Sequence, residues 1–202
     1  GCFTGGRFSI GMARRTILLV LAAVLFIATV APIFLNKGVP KMKEVIGPAI
    51  KVDQAPADVW TKLSDLSVAH YYVPGLTGTE ITTELTQGVG ASRKVLSKRP
   101  PMDETVLEWN EESSIFLRLH YGKQFAWGPF KEAYFRYSIR PDGSGATLLE
   151  NSMSFELKGG AITNTLFGAL MGKAFSSTLL DVTVAQRLYY ETGEQVSAEQ
   201  IK

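Results

Sequence analysis

The stretch ATLLENSMSFELKGGAITNTLFGALMGKAFSSTLLDVTVAQRLYYETG, residues 146–193, contains the change of period that decides the fold. In its first part Leu149, Met153, Phe155 and Leu157 alternate with Glu150, Ser152 and Glu156. A half-buried antiparallel strand has this period of two, because successive side chains leave opposite faces of a sheet. After Gly159-Gly160 the spacing becomes three and four. Phe167, Leu170, Met171, Ala174, Phe175, Thr178, Val182, Ala185 and Tyr189 then fall on one stripe of a helix. Thr163 or Asn164 is the expected N-cap and Gly193 the expected stop. From Thr163 to Glu191 such a helix is about 43 Å long at roughly 1.5 Å per residue. Its stripe has to be buried against the strands that precede it.

Upstream, strand-like runs are separated by turn residues. They cover residues 78–84, 90–98, 104–110, 113–121 and 130–140, and the run at 146–157 closes the series. Gln87-Gly88, Pro100-Pro101, Glu111-Glu112, Gly122-Lys123 and Pro141-Asp142-Gly143 lie between them. Ile115, Leu117, Leu119 and Tyr121 share one face, opposite Arg118 and His120. Before these runs, residues 45–54 read as a first strand. A short helix follows, opened by Ala55-Pro56-Ala57-Asp58, with Val59, Trp60, Leu63 and Leu66 on its apolar side. A second helical piece spans residues 65–73 and ends at Pro74-Gly75. The result is one α+β domain over residues 44–194, an antiparallel sheet with a long C-terminal helix, followed by a polar tail at 195–202 expected to fray.

The N-terminal part is different in kind. Residues 16–35, TILLVLAAVLFIATVAPIFL, carry no charge. At about 1.5 Å per residue they span roughly 30 Å, the thickness of a bilayer's hydrocarbon core. We read them as a single transmembrane helix between a basic tail (1–15) and a linker (36–43). A cleaved signal peptide has a shorter apolar core, and a buried core helix is the remaining alternative. Arg7, Arg14 and Arg15 before the span nearly balance Lys37, Lys41 and Lys43 after it. The expected orientation is an uncleaved signal anchor with the large domain on the extracytoplasmic side.

Composition excludes several function classes. Twenty-one Lys+Arg against nineteen Asp+Glu leave a formal charge of +2, which does not suit a nucleic-acid binder. One cysteine, Cys2, allows neither an internal disulfide nor a cysteine zinc cage. No phosphate loop, nucleophile elbow or HExxH helix is present in the sequence, and no cofactor or metal is implied.

Three segments carry a resemblance: IKVDQAPADVWTKLSDLSVAHYYVPGL (50–76), VLEWNEESSIFLRLHY (106–121) and FRYSIRPDGSGATLLENSMSFEL (135–157). Together they resemble the opening, the central strand pair and the final hairpin of the START-like superfamily, also called SRPBCC or the polyketide cyclase/dehydrase group. The resemblance implies a helix-grip fold, with a ligand cavity between the sheet and the C-terminal helix. An apolar lining of that cavity, with residues 16–35 as a tether, leads us to expect a carrier of a hydrophobic molecule (lipid, isoprenoid, quinone or pigment) held at the bilayer that supplies it. The alternatives are an accessory subunit docked on a larger membrane protein complex and a cyclase-like enzyme.

On elements expected to line that cavity lie Tyr71, Tyr72, Trp109, Phe135, Tyr137, Met153, Phe155, Leu170, Met171 and Phe175, with core packing as the competing role. Arg93 and Arg136 interrupt strand runs. They are expected either to hold a polar ligand group or to face outward. His70, beside Tyr71 and Tyr72, is the one candidate general acid or base, and His120 is expected to be exposed. Gly168 and Gly172, four apart on the long helix, mark either tight helix–sheet packing or room left for a ligand.

Overall fold

The computed structural model describes residues 42–120 and 129–201. The span expected at 16–35 and its flanks up to Lys41 lie outside the described residues, as does Tyr121. Among the described residues no helix is long and apolar enough to cross a membrane.

Residues 41–202 form one compact unit. Its strands are β1 (Lys43–Ile46), β2 (Ile50–Val52), β3 (Leu76–Ile81), β4 (Ser92–Ser97), β5 (Met102–Asn110), β6 (Ser114–His120), β7 (Phe130–Pro141) and β8 (Thr147–Leu157). They form one antiparallel sheet in the order β1-β8-β7-β6-β5-β4-β3, with β2 also on β8. Helix α1 (Pro56–Leu63) packs against β7, a 3-10 helix (Leu66–Tyr71) against β3 and β4, and α2 (Gly160–Thr192) against β8, β1 and β2. The inner face of the sheet is thus gripped by helices from both ends.

The first strand differs from its expected course. Ile46 pairs with Ser152 and Ile50 with Leu149, so four steps on one side meet three on the other. The extra residue lies at Gly47-Pro48-Ala49, where Pro48 has no N–H for the ladder. Gly47 donates its N–H to the Asn151 carbonyl at 2.8 Å. A Cβ on Gly47 would stand 3.0 Å from the Leu179 Cβ and 3.1 Å from the Asn151 oxygen, so glycine lets this bend lie close against α2.

Helix α2 begins earlier than the expected caps, Thr163 or Asn164, would have it. Its cap is Gly159, at φ 93°. A side chain there would be strained and would also run into Thr163. The helix ends as expected at Gly193, which has φ 75° and donates to the Tyr189 carbonyl.

The buried line of α2 follows the expected stripe at Val182 and Ala185 and departs from it in the first half of the helix. Leu179, Val182, Thr183, Ala185, Gln186 and Tyr190 are buried, whereas Phe167 is 54% and Leu170 68% exposed. Toward the N-terminus the line continues through Gly168 and Gly172, on which β1 lies. An apolar count skips two glycines, a threonine and a glutamine. In the first half of the helix it therefore lands about one residue, some 100°, away from the true inner face.

The C-terminal tail does not fray as expected. Val196 donates its N–H to the Tyr71 carbonyl at 2.8 Å, and Val196 and Ile201 pack on the core.

Candidate functional site

Sheet register aligns the interior in rows. Val106, Leu117, Phe135, Met153 and Val45 lie side by side across five strands. The next row toward one end of the molecule holds Trp109, Ile115, Tyr137 and Asn151. Side-chain packing, rather than the rows themselves, separates the interior into two clusters of different chemistry, each filling one end.

One end is polar and closed. Arg93 on β4 stands directly across from Glu104 on β5. The guanidinium donates Nε to the Glu104 carboxylate at 2.7 Å, one terminal N–H to the Leu66 carbonyl at 3.1 Å and another to the Tyr137 hydroxyl at 3.2 Å. Three of its five N–H groups are thus committed to protein partners. Arg93 is only 2% exposed. Burial alone would lower its pKa. The Glu104 carboxylate, and then the Tyr137 and Tyr72 hydroxyls, reverse this and hold the group more basic than an ordinary arginine. Burial also pushes the Tyr72, Tyr137 and Tyr190 phenols upward, so these remain neutral donors and acceptors.

Around this pair the aromatics close ranks. The Tyr72 ring is stacked 5.8 Å from Tyr189 and meets Tyr137 and Tyr190 edge-on at 6.4 and 6.0 Å. A second polar chain ties β8 to α2. The Asn151 amide donates to Thr183 Oγ1 and Gln186 Oε1, both at 2.9 Å, and Gln186 Nε2 donates to the Tyr190 hydroxyl at 2.7 Å. Asn151 Oδ1 is buried without a donor among the described residues.

The other end is apolar and half open. Val45, Leu119, Ala133, Met153, Phe155, Leu157 and Leu179 are buried there. Met102, Phe130, Phe135, Met171 and Phe175 pack on them while remaining partly exposed. Phe155 and Phe175 meet edge-on at 5.1 Å, and Phe130 lies 5.8 and 5.7 Å from the two. Three of the chain's five methionines are here. Their unbranched thioethers adapt to irregular apolar shapes.

The sequence-derived candidates are distributed between these ends. Met153, Phe155, Met171 and Phe175 meet at the apolar end, and Phe135 belongs to both. Tyr72, Tyr137 and Arg93 belong to the closed end. Arg93 faces inward, but as the hub of a protein network. Half-buried Tyr71 lies between His70 and Tyr189, and Trp109 packs edge-on against Trp60 at 5.3 Å.

Two candidates sit elsewhere. Leu170 projects away from the sheet, two positions and about 200° from Gly168. Arg136 lies on the outer face, paired with Glu108 at 3.0 Å and stacked 4.3 Å from the Phe116 ring. His70 Nδ1 is 3.2 Å from Thr79 Oγ1, and His120, expected to be exposed, is half-buried with Nε2 2.9 Å from Thr105 Oγ1. Of the two readings of Gly168 and Gly172, tight packing is the one observed, with β1 lying against them. Cβ atoms there would meet the Lys43 stem at 3.0 Å and Val45 Cγ2 at 3.6 Å.

Sequence reading passed over Glu104, Asn151, Thr183 and Gln186. For the first two a signal was present. Glu104 shares the phase of Met102 and Val106, and Asn151 that of Leu149 and Met153, so each is a polar residue on an apolar face.

Residues 48–182 match the family described as polyketide cyclase / dehydrase and lipid transport. The chain belongs to this family. No curated protein matches it in sequence. Among solved structures, ginseng major latex-like protein 151 from Panax ginseng is similar at TM-score 0.56 and 15% identity, over 74% of this chain and 97% of that one. A protein of Thermus thermophilus gives 0.56 and 15%, over 73% and 97%. One from Nitrosospira multiformis gives 0.54 and 17%, over 75% and 98%. At these identities the likeness concerns the fold alone.

Proposed function

We propose that this family member holds an apolar small molecule at the methionine- and phenylalanine-lined end of its interior, and that residues 16–35 anchor it to the membrane from which the molecule comes. The carrying observation is the contrast between the two ends. Arg93, Glu104 and the tyrosines consume their polar groups on one another, whereas Met102, Phe130, Phe135, Met171 and Phe175 keep part of their apolar surface uncovered. A site with this lining favours a lipid, isoprenoid, quinone or pigment over a charged metabolite. A tether raises the local concentration of such a ligand around its site.

The test is to purify the full chain in mild detergent and analyse its organic extract by mass spectrometry. A stoichiometric apolar compound is expected from the wild type and from Leu107→Glu, a change at an exposed position, and is lost in Met171→Glu. An empty extract, together with failure to bind cis-parinaric acid, overturns the reading.

A further inference from the structure

The first turns of α2 carry an apolar surface that the sheet does not use. Leu166, Phe167 and Leu170 are 68%, 54% and 68% exposed. Leu170 is four positions from Leu166 and three from Phe167, so the three form one patch on the helix. From Phe167 a row with a spacing of four runs through half-buried Met171 to half-buried Phe175, which packs on Phe155. The exposed patch and the apolar end of the interior are therefore continuous.

The start of β1 lies at the same place. The Lys43 stem crosses α2 at Gly168, next to Phe167. Only residues 36–42 separate Lys43 from the end of the apolar segment at Leu35. Fully extended, seven residues reach at most about 25 Å. If 16–35 span a bilayer, the short tether leaves the domain beside this patch and holds it near the membrane surface. Lys37, Lys41 and Lys43 follow the span in sequence, and Lys173 is exposed one turn beyond Leu170. An apolar helix face with the Lys43 stem at Gly168 and exposed Lys173 beside it fits the interface of a bilayer containing anionic lipid.

We infer that Leu166, Phe167 and Leu170 dock into the bilayer surface, so that an apolar ligand passes along the Phe167–Met171–Phe175 row without crossing water. This rests on the reading of residues 16–35 as a membrane span.

The test uses the full chain in vesicles of phosphatidylcholine and phosphatidylglycerol. Bimane is attached at Phe167→Cys, Leu170→Cys or, as a control on the exposed β5–β6 turn, Glu111→Cys, each with Cys2→Ser. Spin-labelled lipid is expected to quench the first two labels and spare the third. Equal exposure of all three, with the chain resistant to carbonate extraction, overturns docking while the anchor stands. Extraction by carbonate overturns both. Disulfide cross-linking between copies through position 167 also overturns docking, by showing that a second chain covers the patch. A double variant, Phe167→Asp with Leu170→Asp, is expected to slow uptake of cis-parinaric acid from vesicles but not its binding from detergent solution. Loss of both overturns docking by placing these residues in the ligand site, and no change in either overturns it as well.

Discussion

Arg93 sits where the alternation of β4 calls for an apolar side chain, and it brings Glu104 inside with it. A buried ion pair is weak evidence for stability, because desolvation of both charges offsets their attraction. Its effect here is positional: it joins β4 to β5, to the 3-10 helix at Leu66 and to Tyr137. Removing one partner leaves a buried charge without compensation. Arg93→Met is therefore expected to lose about 3–5 kcal/mol in urea unfolding. Adding Glu104→Leu should restore most of this, and failure to do so would mean that the Leu66 and Tyr137 bonds matter more than the charge. A second residue-scale effect is at the β7–β8 turn. The Asp142 carboxylate accepts from the Ser144 hydroxyl at 2.6 Å, the Ser144 N–H at 2.7 Å and the Ala146 N–H at 3.0 Å, with Lys51 at 3.0 Å. The Ser144 bonds, followed by Lys51, hold its pKa well below the usual carboxylate range. A depressed folded-state pKa gives stability that is complete above the unfolded value of about 4 and fades as pH falls toward the folded one. The protection factor of the Ser144 amide should accordingly be constant above about pH 4 and decline progressively below it, and Asp142→Asn should remove that acid dependence.

Among the elements, two glycine contacts separate a rigid neighbour from a pliable one. A methyl group on Gly47 meets the Leu179 Cβ and the Asn151 backbone oxygen, neither of which can turn aside. On Gly168 it meets a lysine stem, which can. Gly47→Ala is expected to destabilise by about 1–3 kcal/mol through overpacking. Gly168→Ala should be neutral or gain up to about 1 kcal/mol in helix propensity. Thermal unfolding of the pair checks the contrast, and equal losses would contradict it. The strands were legible because each carries its period between turn residues, and the run read at 130–140 matches β7 nearly residue for residue. Helix α2 was legible in existence, and in phase over its second half at Val182 and Ala185 but not over its first. Its inner face is marked by small and polar residues whose role appears only once β1 and Asn151 stand opposite them. The break in the first strand was hidden for a related reason, since the register that demands it belongs to β8.

At the scale of the whole molecule, the family could be read from three sequence segments, whereas the division of the interior could not. Sequence reading grouped Tyr72 with Phe175 as lining of a single cavity. The structure assigns them to opposite ends, because the Arg93–Glu104 pair gathers the tyrosines around itself. Ligand loss should follow the same division. Phe135→Ala and Met153→Ala are expected to reduce retention of an apolar ligand more than Tyr72→Phe does, as measured on extracts of equal amounts of folded protein. Equal losses would mean that the ligand reaches the tyrosines.

The return of Val196 to the Tyr71 carbonyl gives α2 two unlike ends. Its last turns are fastened by the tail, the tyrosines and the Asn151 chain, while β1 lies on its first half at Gly168 and Gly172. Breathing of this molecule is therefore one-sided, like a door hinged near residue 186 and latched by Lys43 and Val45. Amide protection should climb steadily from residue 165 to residue 190.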